Sequence, residues 1–126
     1  MIGIDIVSIT RVERVFMRYG ERFLEHFLLP SEIDLLRFKD FALSSIAGFW
    51  AAKEACAKAL GVGIGQELRF FDMCISYTQT KAPLIVLPEE KMQAFGIISL
   101  ALSISHDGGF AIAAVIAESS SRYKAK

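Results

Sequence analysis

The chain has no excess charge of either sign: 14 Lys and Arg balance 14 Asp and Glu over 126 residues. Without a basic surplus it lacks the means for bulk nucleic-acid binding. It has only two cysteines, Cys56 and Cys74, with no metal-ligand spacing, and they read as reduced, packed thiols of a cytosolic protein. No apolar run reaches the roughly 20 residues that a bilayer span needs. The longest, residues 95–104, is interrupted by Ser99 and Ser103. The start, Met1-Ile2-Gly3-Ile4-Asp5, has no basic segment and carries an acid inside its apolar stretch, so it is not read as a signal peptide. Repeats, low-complexity stretches and linkers are missing too. The length fits one domain, expected over residues 1–118, with a polar, fraying tail at 119–126.

What is present in quantity is apolar side chain. Hydrophobic residues make up 53% and mean hydropathy is +0.42. A domain of this size cannot hide that much behind its own surface. With no membrane span in sight, the surplus points to self-association, most simply in a closed symmetric oligomer.

Residues 2–7 read as a strand, with Ile2, Ile4 and Ile6 on one face and Gly3, Asp5 and Val7 on the other. Ser8 or Thr10 can cap a helix over 11–19 that Gly20 closes, followed by short helices over 21–28 and 30–38. Alanine-rich residues 42–60 make the long helix, ended by Gly61. Strands are expected over 73–78 and 84–87, a helix over 88–95, and strands over 99–106 and 110–118. The last two are joined at Asp107-Gly108-Gly109, a strong hairpin signal. The fold class is α+β, one long buried helix against a mostly antiparallel sheet.

Asp5 lies in a strand between Ile4 and Ile6, where a carboxylate is costly unless something cationic or hydrogen-bonding meets it. It is a cap, a buried ion-pair partner or a cation ligand. Glu54 shares a helical stripe with Leu43, Ile46, Ala47, Trp50 and Ala57, so it faces the interior or a cleft. A surface pair with Lys58, four residues on, is the plain alternative. Two inward acids short of basic partners suit a hard cation such as Mg²⁺. Lys58, in the last turn, can reach a phosphate, and the glycines of residues 61–65 allow close backbone approach, although the loop lacks a Walker A ending. His106 ends a strand, as either a hydrogen-bonded turn histidine or a cleft residue; His26 reads as exposed.

Arg11, Arg14, Arg18 and Arg22 form one stripe if the first helix continues past Gly20, opposite Val12, Val15, Phe16, Tyr19 and Phe23. It is either a solvated face balanced by Glu21 and Glu25 or a landing surface for an acidic partner helix.

Gly3-Ile4-Asp5-Ile6-Val7, the run from Trp50 through Lys53-Glu54 and Lys58 to Gly61, then Gly63-Ile64-Gly65 and Ser103-Ile104-Ser105-His106, stand in an order and spacing that resembles the bacterial holo-[acyl-carrier-protein] synthases of the 4′-phosphopantetheinyl transferase superfamily. The likeness covers residues 2–118. It implies transfer of the 4′-phosphopantetheine arm of coenzyme A to a serine of apo acyl carrier protein, with release of adenosine 3′,5′-bisphosphate, in fatty acid biosynthesis. It matches Asp5 and Glu54 to Mg²⁺ ligands and Lys58 to a position beside the coenzyme A phosphates. It also matches Gly61, Ser105 and His106 to the coenzyme A pocket, and Arg11, Arg14, Arg22 and Phe23 to the region that meets the carrier protein's acidic helix. Glu54 and Lys58 would carry the chemistry, the serine's proton passing to Glu54 or to a water on the metal. A cytoplasmic homotrimer with active sites between subunits is implied as well. The sequence departs from the family at Phe49, where an arginine is common, and is thin in basic residues upstream, with Arg37 and Lys39 the nearest. Asp34 receives no role. Two alternatives stay open: a non-catalytic coenzyme A or nucleotide-binding module, and the same chemistry on a polyketide or peptide synthetase carrier.

Overall fold

The main sheet is antiparallel, ordered β1-β5-β4, from strands Ile2–Ser8 (β1), Ile97–Asp107 (β4) and Phe110–Ser119 (β5) in a computed structural model that describes residues 1–120. Period-two alternation sorts its side chains. On the inner face Gly3, Ala111, Ala113, Val115 and Ala117 are buried. They are small because helix Leu43–Ala59 (α4) lies directly on them. A Cβ on Gly3 would sit 2.0 Å from the Ala55 carbonyl oxygen and 2.4 Å from the Ala59 nitrogen, so only glycine allows α4 this close to β1. Farther up, a Cβ on Gly48 would stand 2.9 Å from Cγ2 of Ile104 on β4.

The outer face is apolar and uncovered among the described residues. Ile2, Ile4, Ile6, Phe110, Ile112 and Ile116 are between 42% and 63% exposed. Part of the surplus of apolar side chain lies here, with Met17 and Phe38 exposed on and beside the helices.

Helices Ile9–Tyr19 (α1), Glu21–Leu24 (α2) and Pro30–Arg37 (α3) join β1 to α4. Ser8 caps α1, its Oγ accepting from the Arg11 N–H at 3.3 Å. A 3₁₀ turn, Phe70–Asp72, leads into the small hairpin Cys74–Tyr77 (β2) and Pro83–Val86 (β3), and helix Glu89–Phe95 (α5) leads into β4. The β4–β5 turn is the expected one: Asp107 pairs with Phe110 across Gly108 and Gly109, both at positive φ.

The α+β expectation and its long buried helix are realised. Gly20 closes the first helix as expected, at a φ of 61° and ψ of −141°, so the condition for one continuous arginine stripe is not met. Two details differ. The expected 21–28 helix is a single turn followed by turns, and the 3₁₀ turn was not foreseen. Strand β5 reaches Ser119, and the Ser120 N–H bonds Gly96 O at 2.9 Å; the remainder of the tail expected at 119–126 lies outside the described residues.

Candidate active site

The close contact at Gly3 sets the site. It brings the C-terminal half of α4 against β1, so that Asp5 meets Lys58: Nζ donates to Asp5 Oδ1 at 2.9 Å and to the Ile4 carbonyl at 3.1 Å. The alternative i,i+4 pair of Lys58 with Glu54 does not form. Glu54 stands half-buried, with no hydrogen-bond partner among the described residues. Burial, and then the nearby Asp5 carboxylate, push its pKa above the ordinary value of 4.5, against a smaller pull from Lys58.

Asp5 and Glu54 open into a cleft of about 370 Å³. Arg11 and Ser8 line one side, and Val12, Val15, Phe23 and Trp50 form an apolar wall. Phe23 and Val15 also border an adjoining groove with Tyr19, Arg22 and His26. Arg14 is exposed on α1 and lines neither. Glu21 and Glu25 do not balance the neighbouring arginines as the solvated-face reading expected. Glu21 is instead tied to Arg37 at 2.9 Å, and Arg37 also bonds Asp34.

The other site residues lie apart. His106 lines a second cleft of about 220 Å³ with Lys39, Ser44, Phe49, Tyr77 and Lys81. Neighbouring residues of α4 divide the two: Trp50 faces the first cleft and Phe49 the second. Ser105 is on the outer sheet face, paired across β5 with Ile112, which in turn pairs with Ile6. Gly61 is exposed beyond the end of α4, with a φ of +75°, and lines neither cleft. One copy of the chain therefore unites Asp5, Glu54, Lys58, Arg11 and Phe23 and leaves Gly61, Ser105 and His106 elsewhere.

The donor set can be tested for Mg²⁺. The ion takes oxygen ligands, commonly one or two carboxylates, and completes its shell with water and phosphate oxygens. Asp5 and Glu54 supply two carboxylates that repel each other, one of them without a partner, and a cation would relieve both conditions. No cluster of three or more potential metal ligands occurs among the described residues. The residues fit an open Mg²⁺ site shared with a phosphate substrate and not a closed protein cage.

The family model for the 4′-phosphopantetheinyl transferase superfamily matches residues 1–115. The chain belongs to this superfamily. It is 64% identical over 116 residues to the holo-[acyl-carrier-protein] synthase of Helicobacter acinonychis, covering 92% of this chain and 98% of that one. The Wolinella succinogenes holo-[acyl-carrier-protein] synthase is 52% identical over 94% of this chain and 97% of its own. The crystal structure of the Helicobacter pylori holo-[acyl-carrier-protein] synthase in complex with coenzyme A superposes with a TM-score of 0.87 at 59% identity, covering 94% of this chain and 100% of that one. The chain is thus an enzyme, a phosphopantetheinyl transferase.

Within this transferase, Phe49 is buried at the second cleft, where the family resemblance leads one to expect an arginine. Lys39 and Lys81 bring positive charge to the same cleft. Two residues received no role from the sequence. Lys53 and Glu32 form a fully buried ion pair, Nζ to Oε1 at 2.7 Å. The signal was available: Lys53 shares its helical stripe with Phe49, Cys56 and Ala57, all buried. Burial pushes the Cys56 thiol up to about 12, so it is a packing group, as expected, and not a nucleophile. No helix among the described residues is long and apolar enough to cross a membrane.

Proposed function

We propose that this transferase moves the 4′-phosphopantetheine group of coenzyme A onto a serine of apo acyl carrier protein, with Mg²⁺, releasing adenosine 3′,5′-bisphosphate and serving fatty acid biosynthesis in the cytoplasm. The observation that carries this reading is the meeting of Asp5 and Glu54 in one cleft, with Lys58 bonded to Asp5 and Arg11 at the cleft wall.

Asp5 and Glu54 would hold Mg²⁺, which supplies neutralising charge to the pyrophosphate oxygens of coenzyme A. Lys58 is half exposed and can leave Asp5 for a phosphate oxygen at little cost. There it stabilises charge building on the departing adenosine bisphosphate. The proton of the attacking serine hydroxyl would pass to Glu54 or to a water held beside it at the metal site. The hydroxyl oxygen forms the new bond to the β-phosphorus as the pyrophosphate oxygen leaves. The apolar wall of Val12, Val15, Phe23 and Trp50 excludes water, which otherwise competes with the serine. Arg11, Arg14 and Arg22, with Phe23, face the acidic carrier helix.

The separation of His106 and Ser105 from Asp5 supports a site shared between copies. One copy presents Asp5, Glu54 and Lys58, and its neighbour brings Gly61, Ser105 and His106 to the same coenzyme A. The uncovered isoleucine face of the sheet provides the surface for a homotrimer.

The test is carrier loading. Apo carrier protein, coenzyme A and Mg²⁺ are incubated with the enzyme, and the carrier is weighed for one added phosphopantetheine. Folded Asp5→Ala and Glu54→Ala are each expected to lose at least about 10²-fold in rate. Near-normal turnover in either refutes the assignment. Mixing and reassembling Asp5→Ala with His106→Ala reports the shared site: part of the activity returns if the two residues act across an interface, and none returns if they act within one copy.

A further inference from the structure

Lys53 is next to Glu54 on α4, yet its side chain points the opposite way, into the protein, and is wholly buried. An ammonium has three donors. Lys53 places one on Glu32 Oε1 at 2.7 Å, one on the Phe27 carbonyl at 2.8 Å and one on the Phe70 carbonyl at 3.0 Å. Glu32 is equally engaged: Oε1 also accepts from the Leu29 N–H and Oε2 from the Ile75 N–H, both at 2.7 Å. One ion pair thus ties α4 to the turn after α2, to the start of α3, to the 3₁₀ turn and to β2.

The two carbonyls it holds belong to residues whose rings support the cleft wall. Trp50 lies against Phe27, with centroids 4.9 Å apart, and against Phe70 at 5.1 Å. Phe27 in turn meets Phe23 at 5.2 Å. Trp50 and Phe23 line the cleft with Asp5 and Glu54. The network therefore reaches the site by two routes, through the adjoining backbone of Glu54 and through the aromatic wall that Trp50, one turn earlier on α4, shares with Phe23.

We propose that Lys53, clamped by Glu32, is a positioning residue for the transfer reaction: it fixes the rotation of α4 that presents Glu54 and the ring stack that shapes the apolar wall of the cleft. It touches neither coenzyme A nor the carrier. The proposal rests on the function given above for its kinetic arm, and on the single tryptophan of the chain for an arm that does not need that function.

The experiment compares the wild-type enzyme with Lys53→Met/Glu32→Gln, which removes both charges together and avoids leaving one buried alone. Glu32→Gln is the gentler second variant. Circular dichroism sets a working temperature well below each melting point. In the folded variants Trp50 emission shifts to the red and acrylamide quenches it more strongly. The kcat for carrier loading falls by about 10²-fold, the effect of a displacement near 1 Å, while KM for the carrier stays near the wild-type value. A pair that merely stabilises the fold would lower the melting point and leave both kcat and Trp50 emission unchanged; that result overturns the proposal. If neither variant folds even in the cold, the pair is a folding requirement and the positioning role is likewise rejected. A wild-type enzyme that loads no carrier would sink the function above and leave the Trp50 measurement to decide on the positioning.

Discussion

Two lysines five residues apart on α4 hold carboxylates in opposite ways. Lys53 and Glu32 are both shut off from water, and every donor of the ammonium is used. Lys58 and Asp5 are 52% and 16% exposed, and Lys58 spends two of its three donors. A buried charge cannot change partner without crossing a large desolvation barrier, whereas an exposed one exchanges partners nearly for free. The helix thus carries a fixed pair that anchors it and an adjustable pair that is available to a ligand. Between them, Glu54 faces the cleft alone.

The largest expected effect breaks the fixed pair. Lys53→Ala strands the Glu32 carboxylate and two carbonyls and should cost about 3–5 kcal/mol, read from urea unfolding. A loss below about 1 kcal/mol would place Lys53 with the exposed pairs and erase the contrast.

Next comes the contact that keeps the open pair assembled. Gly3→Ala drives a Cβ into backbone atoms of α4 that cannot move singly, at a cost of about 1–3 kcal/mol. It should also lift α4 off β1, part Lys58 from Asp5 and depress carrier loading in the protein that still folds. Gly48→Ala meets side-chain atoms of Ile104, chiefly Cγ2, and no backbone atom, and should be milder on both counts. Melting curves and loading rates of the two variants check the order; the reverse order would mean that the N-terminal half of α4 is the rigid one.

The open pair comes third in stability. Lys58→Ala should change unfolding free energy by less than about 1 kcal/mol. Its loading rate should nonetheless fall by about 10²-fold. Large stability loss with intact turnover would make Lys58 another anchor.

The same contrast explains what the sequence could tell. Asp5 and Glu54 were legible because a carboxylate in an apolar strand or on an apolar helix face is locally anomalous. The hairpin at Asp107-Gly108-Gly109 and the α4 stop were legible because turn chemistry is local. Lys53 is just as anomalous on its stripe, but its meaning depends on Glu32, 21 residues away, and on carbonyls at Phe27 and Phe70 that no side-chain pattern reveals. The stop at Gly20 was legible, whereas the early end of the next helix at Leu24 was not, since nothing local marks it. Nor could spacing show that Phe49 and Trp50, neighbours in sequence, face separate clefts.

The smallest effect concerns Glu54 itself, through pH. Its pKa is raised above the ordinary 4.5 chiefly by burial and then by Asp5. Over a window that opens near 4.5 and ends at the raised native value, the native state keeps a proton that the unfolded chain has released. By linkage, stability falls as pH rises through that window, and the penalty is complete above it. Glu54→Gln carries no such penalty. It should melt slightly above the wild type at neutral pH without added metal, and the difference should shrink to nothing as the pH drops below 4.5. Mg²⁺ should close the same gap from the other side, raising the melting point of the wild type at neutral pH, less so in acid, and leaving Glu54→Gln largely unmoved. Thermal melts of both proteins across this range, with and without Mg²⁺, make the measurement. Parallel curves at every pH would show that Glu54 pays nothing for its place in the cleft, and the open half of α4 would then be no more poised for a cation than an ordinary surface.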